Sequence, residues 1–151
     1  MSVGLSGVLN HPRSTYARPS RCYASDGTTL KQLNHVNATG GVLYSYTAQD
    51  AAADGDRLQT FLTANGTETK LSVGLFTEDV GGIFDLYIND VLDSSTYDTY
   101  SVASGVLNLY ISLSAGVLPI RVGENKIEFR VNDNNVGSSD FYIEVGGVSI
   151  Q

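Results

Sequence analysis

Along Lys126-Ile127-Glu128-Phe129-Arg130-Val131-Asn132 apolar and polar residues alternate one by one. Ile127, Phe129 and Val131 fall on one side of an extended chain, Lys126, Glu128, Arg130 and Asn132 on the other. A period of two belongs to a β-strand with one face buried and one in water. The same period returns at Phe84, Leu86 and Ile88, at Leu107, Leu109, Ile111 and Leu113, and at Phe141, Ile143 and Val145. Strands are predicted over residues 42–47, 57–63, 70–76, 83–89, 97–101, 106–113, 117–122, 126–132, 140–145 and 147–151. Between them stand Asn65-Gly66, Asp79-Val80-Gly81-Gly82, Ser114-Ala115-Gly116 and Asp133-Asn134-Asn135-Val136-Gly137, residue types that supply the positive φ of tight hairpins. A single helical turn near Ala51-Ala52-Ala53 is too short to organise a core.

Strands in this number form a two-sheet sandwich or a closed barrel. The long connections over 48–56 and 89–105 favour Greek-key crossings, so residues 42–151 are expected to form an antiparallel β-sandwich, a jelly roll. Residues 1–41 show no sustained period, and His11-Pro12 and Arg18-Pro19 impose extended or turn geometry. They are read as an extended N-terminal arm with one short strand near residues 21–24.

Charge sharpens that division. Residues 1–49 hold Arg13, Arg18, Arg21 and Lys31 against Asp26, a charge of +3, whereas residues 50–151 hold five basic and fifteen acidic residues, a charge of −10. A basic arm on an acidic body is one reading; an acidic body kept soluble beside an arm that merely lacks acids is the other. An acidic body repels phosphate, so no nucleic-acid partner is expected. No apolar run reaches the ~20 residues that span a bilayer, and no membrane partner is expected. The first residues, Met1-Ser2-Val3-Gly4-Leu5-Ser6-Gly7, lack the basic and apolar regions of a signal peptide, which points to synthesis in a cytoplasm. Cys22 is the lone cysteine, so neither an intramolecular disulfide nor a cysteine metal cluster is expected.

Catalytic signatures are missing from the sequence. His11 and His35 have no companion at ligand spacing, and there is no Gly-x-Ser-x-Gly elbow, P-loop or dinucleotide fingerprint. Acid pairs such as Asp85 with Asp98 are available, as in any acidic β domain. No enzymatic activity, cofactor or metal is therefore expected. Asp50, Asp54, Gly55 and Asp56 could ligate calcium through oxygen, but Asp- and Gly-rich turns are ordinary between strands, and the same holds for Asp133-Asn134-Asn135. Tyr97, Tyr100, Tyr110 and Tyr142 could form a sugar-stacking platform or fill contacts between subunits.

The second half of the chain resembles a known group of modules. Gly82-Ile83-Phe84-Asp85-Leu86-Tyr87-Ile88-Asn89 runs into Asp98-Thr99-Tyr100-Ser101. Ser114-Ala115-Gly116, Asn125-Lys126-Ile127-Glu128-Phe129-Arg130-Val131 and Gly137-Ser138-Ser139-Asp140-Phe141-Tyr142-Ile143 follow. In this order they resemble the galactose-binding-like jelly-roll modules of tailed-phage virion proteins, over residues 55–151. The resemblance implies a structural virion protein, a capsid decoration or cement protein; the charge split and the two prolines of residues 1–41 suggest that it docks on the major capsid protein through Arg13, Arg18 and Arg21 of its arm. It also implies self-association as a homotrimer. The alternatives are a carbohydrate-binding module of a phage tail, with a glycan partner, and a small jelly-roll capsid protein.

Overall fold

The computed structural model describes residues 16–25, 28–36, 38, 41–47, 55–112 and 120–151. Eleven strands run through them: β1 Tyr16–Ala17, β2 Arg21–Tyr23, β3 Lys31–Asn34, β4 Val42–Tyr46, β5 Arg57–Ala64, β6 Lys70–Thr77, β7 Gly82–Ile88, β8 Val91–Asp98, β9 Gly105–Ser112, β10 Gly123–Asn134 and β11 Ile143–Ile150. One sheet has the order β3-β4-β11-β6-β9, with β1 also on β11; the other has the order β2-β5-β10-β7-β8. Every strand pair is antiparallel. From β4 onward the chain changes sheet at each connection except the β7–β8 hairpin, which yields the jelly-roll sandwich expected from the sequence.

The alternating residues form the core between the sheets. Phe84, Leu86 and Ile88 of β7 and Ile127, Phe129 and Val131 of β10 all face inward and are buried. They meet Val73 and Leu75 of β6 and Ile143, Val145 and Val148 of β11. The Phe84 and Phe129 rings meet edge to face at 5.5 Å, a favourable arrangement for aromatic quadrupoles.

Four places differ from the outline that the pattern predicts. First, Tyr16–Ala17, Arg21–Tyr23 and Lys31–Asn34 of the expected arm are strands of the two sheets. β1 pairs with β11, β2 with β5 and β3 with β4, while the Ser20 amide donates to the Gln59 carbonyl and the Thr60 hydroxyl to the Arg18 carbonyl. A segment without its own core orders by laying its backbone on something else, and here that is the same molecule's two sheets. Second, the long connection expected after residue 89 contains β8, joined to β7 by a two-residue turn at Asn89 and Asp90 with φ of 50° and 68°. Asn and Asp tolerate this left-handed region better than most residues, so Asn-Asp can build the primed turn that matches strand twist. Third, the two strands predicted over 140–145 and 147–151 are one, β11, with a register shift between Val145 and Gly147. Fourth, residues 120–122 are not in a strand; the Asn125 side chain instead binds the Arg121 amide and carbonyl at 2.7 and 2.9 Å. Residues 113–119 and the helical turn at 51–53 lie outside the described residues.

Candidate functional site

Two outer sheet faces and one cleft between loops could carry function. On the five-stranded sheet the register sets out two outward rows. One holds Arg21, Gln59, Glu128, Tyr87 and Leu92; the next holds Tyr23, Arg57, Arg130, Asp85 and Thr96. Glu128 is the hub and only 1% exposed, because the side chains it binds also cover it. It meets Gln59 Nε2 at 2.6 Å, Arg57 Nε at 2.8 Å, and Lys126 Nζ and Arg130 Nη2 at 3.0 Å each. Burial alone would push its carboxyl up. The hydrogen bonds from Gln59, Lys126 and Arg130 outweigh that and hold it down at about 2. Asp90 adds contacts to Lys126 at 2.7 Å and Arg130 at 3.4 Å.

The aromatic rings on this face are already occupied. Guanidinium carbons stand 3.7 Å over Tyr87 (Arg130), 4.6 Å over Tyr23 (Arg57) and 5.1 Å over the Phe61 ring (Arg21). Cations and acids satisfy one another here, and an incoming ligand would have to break those contacts.

The outer face of the other sheet is built differently. Tyr16 of β1, Ser149 of β11, Ser72 of β6 and Tyr110 of β9 stand opposite one another in a single row across four strands. Beside it runs a row of Gly147, Gly74 and Asn108. The inward neighbours Leu71, Val73, Val148 and Ile150 are buried, which fixes the row residues outward. The result is a groove of about 230 Å³ lined by Tyr16, Ser72, Gly74, Asn108, Gly147 and Ser149. Its floor has no charged side chain, in a chain whose net charge is −7.

Tyr16 is held in place. Its hydroxyl donates to the Gly146 carbonyl at 3.1 Å, and its ring lies where a Cβ on Gly147 would sit. Arg18 reaches the same hydroxyl at 3.5 Å. Tyr110 stands at the far end, 73% exposed, while Tyr16 is 38% exposed. No side-chain hydrogen bond among the described residues engages the Ser72 or Ser149 hydroxyl or the Asn108 amide, so all three can meet a ligand or water. Further along this face stand Ser45, Glu144 and Phe76, the last buried with Ala38 and Leu43. The His35 ring lies 4.2 Å from Phe76. Nearby, burial, Glu144 and Asp79 push the Glu78 carboxyl up to about 7, and burial raises Glu144.

The cleft is larger, about 420 Å³, with residues 22–25 and Thr28 on one side and 55–57 on the other. Its acid, Asp56, is consumed by the fold: the Tyr46 hydroxyl donates to Oδ2 at 2.6 Å and the Ser25 amide to Oδ1 at 2.8 Å. That makes Asp56 a clamp on β2 and β4. Asp50 and Asp54, proposed with it as calcium ligands, lie outside the described residues. Among the described residues no three His, Cys, Asp or Glu are placed to hold a metal ion.

The residues singled out from the sequence are scattered. Arg13 and His11 lie outside the described residues, Arg18 flanks Tyr16, and Arg21 is on the opposite face over Phe61. Tyr97 stacks inside on Phe84 and donates to Asp93, Tyr100 packs against Gly137, and Tyr142 is half-buried, so only Tyr110 is an open ring. Asp85 is taken by Asn132 and Thr96, and Asp98 by Asn135 and the Tyr100 amide, so these two acids serve separate networks. The groove residues Tyr16, Ser72, Gly74, Asn108, Gly147 and Ser149 went unnoticed in the sequence. Their one signal is local alternation with apolar residues, at Ser72 and Gly74 in β6, Asn108 and Tyr110 in β9, and Gly147 and Ser149 in β11.

No family model matches the chain, and no curated protein matches it. Among solved structures, a Paenibacillus xanthan lyase aligns with a TM-score of 0.61 at 18% identity, over 88% of this chain and 13% of the lyase. The chain therefore spans about an eighth of that enzyme. The CBM35 (family 35 carbohydrate-binding module) from Cellvibrio japonicus Abf62 aligns with a TM-score of 0.50 at 14% identity, over 89% of this chain and 88% of the module. Neither is described as a virion protein. What the chain shares with them is its fold, an antiparallel jelly-roll sandwich.

Proposed function

We propose that this chain is a non-catalytic carbohydrate-binding module that holds a glycan in the groove on the outer face of β1, β11, β6 and β9. The observation that carries this reading is the row of Tyr16, Ser149, Ser72 and Tyr110, with aromatic rings at its ends and free hydroxyls between them. A pyranose has an apolar C–H face and an equatorial rim of hydroxyls. Aromatic faces suit the first, while Ser hydroxyls and the Asn108 amide both donate and accept towards the second. A few convergent polar groups on a shaped, largely pre-formed surface are the ordinary make-up of a small-ligand site. The likeness in fold to a carbohydrate-binding module supports the same reading.

The capsid-docking reading relied on an arm free to lie on a shell. Its strands Tyr16–Ala17, Arg21–Tyr23 and Lys31–Asn34 pair within the two sheets instead. A glycan array tests the proposal. The wild-type chain should retain one or more structural classes of glycan, and a Tyr16→Ala/Tyr110→Ala double variant, folded by circular dichroism, should lose them. An array without hits, or unchanged retention by the double variant, would overturn the proposal.

A further inference from the structure

Resting on the carbohydrate-binding reading, we infer that the ligand is an uncharged oligosaccharide that runs across the strands rather than along them. It rests on both tyrosines at once and places a side branch in the notch at Gly74.

Direction comes from the register. Tyr16 and Tyr110 end one row, and β1, β11, β6 and β9 are consecutive neighbours, so the two tyrosine strands lie three strand spacings apart, about 14 Å. One sugar ring cannot touch both tyrosines; a chain of several can, with Ser149 and Ser72 beneath its middle. Along the strands the path is closed on one side, where Phe76 packs with Leu43 and Ala38. Class comes from charge. The groove is lined by uncharged side chains, the neighbouring cation Arg18 is engaged with the Tyr16 hydroxyl, and the chain carries a net charge of −7, so an anionic chain is repelled at longer range.

The branch comes from the second row. Gly147 is filled by the Tyr16 ring, whereas a Cβ on Gly74 would meet only Asn108 Oδ1 at 3.7 Å and the Gly147 carbonyl at 3.8 Å, ordinary contact distances. Gly74 therefore keeps open a space that an alanine could fill without disturbing the sheet. That space lies beside the middle of the row, where a substituent of a chain lying on Ser72 would project. Asn108 lines it and offers both a donor and an acceptor.

The test is calorimetric titration with three probe sets: linear manno-, cello- and xylo-oligosaccharides of two to six units, their galactosyl- or arabinosyl-branched counterparts, and oligogalacturonides. One neutral series should bind with affinity that rises with length and then levels off, and its branched members should bind more tightly than the linear ones. Tyr110→Ala should remove the gain with length, about tenfold for the longest member. Gly74→Ala should abolish the difference in affinity between branched and linear members. Length-independent binding, preference for oligogalacturonides, or a branch preference that survives Gly74→Ala would overturn this inference while leaving glycan binding standing. Failure of all three probe sets together with an empty array would remove the underlying reading instead.

Discussion

Glu128 and Glu78 show how identical carboxyl groups acquire opposite behaviour from their neighbours. Glu128 gains Gln59, Lys126, Arg57 and Arg130, and its folded value of about 2 lies below the ordinary 4.5. Its stabilisation is present above pH 4.5 and is lost as pH falls from 4.5 towards 2. Glu128→Gln should lower stability by roughly 2 kcal/mol at pH 7, less than for a fully buried pair because the three cations are partly solvated. The gap between variant and wild type should narrow in urea melts near pH 2.5; a constant gap would mean that Glu128 acts by packing alone. Glu78 gains burial and the acids Glu144 and Asp79, with His35 as a weaker counterweight, and its folded value is about 7. Because that value is raised, the folded state is favoured below pH 4.5 and penalised as pH climbs from 4.5 to 7. Glu78→Gln should therefore raise Tm at pH 8 and change it little at pH 4. A Tm that falls at pH 8 would show that the ionised carboxylate has a partner that stabilises it.

At the scale of strands and turns, glycines work here more by admitting close neighbours than by adopting unusual backbone. A Cβ on Gly81 would fall onto the Thr99 carbonyl, where the chain passes beside β7 and forms a parallel bridge between Gly81 and Tyr142. Gly81→Ala should cost about 1–3 kcal/mol through forced backbone movement, read as a lower urea midpoint with an unchanged slope. An unchanged midpoint would mean that the bridge is not tightly packed. The sequence marks Gly81-Gly82 as a hairpin turn, but what it could reveal was that glycine is needed, not why. The inward residues of β7 and β10 were legible because an alternating pattern needs no knowledge of neighbours. β3, Lys31–Asn34, was not, because all four residues are exposed at the sheet edge and leave no alternation. The Asn89-Asp90 turn was legible in principle, yet Val91-Leu92-Asp93 breaks the period at the start of β8. The groove was hidden for a deeper reason. Tyr16, Ser149, Ser72 and Tyr110 are spread over the whole chain, and only long-range pairing puts them in one row.

For the molecule as a whole, the two outer faces divide labour. One carries a network of ion pairs and cation–π contacts around Glu128, beside a cavity of about 270 Å³ lined by Asp85, Tyr87, Arg130 and Asn132. The other offers the Tyr110 ring, two hydroxyls and an amide over a floor of glycine and serine, with Tyr16 packed on Gly147 at its end. Ligand titration followed by amide NMR, with the tightest-binding glycan from the array, reads out this asymmetry. The largest shifts should fall at Ser72, Gly74, Asn108, Tyr110, Gly147 and Ser149, with Arg57, Tyr87, Glu128 and Arg130 unmoved. Shifts centred on that second group, or on the residues that line the Asp56 cleft, would contradict it.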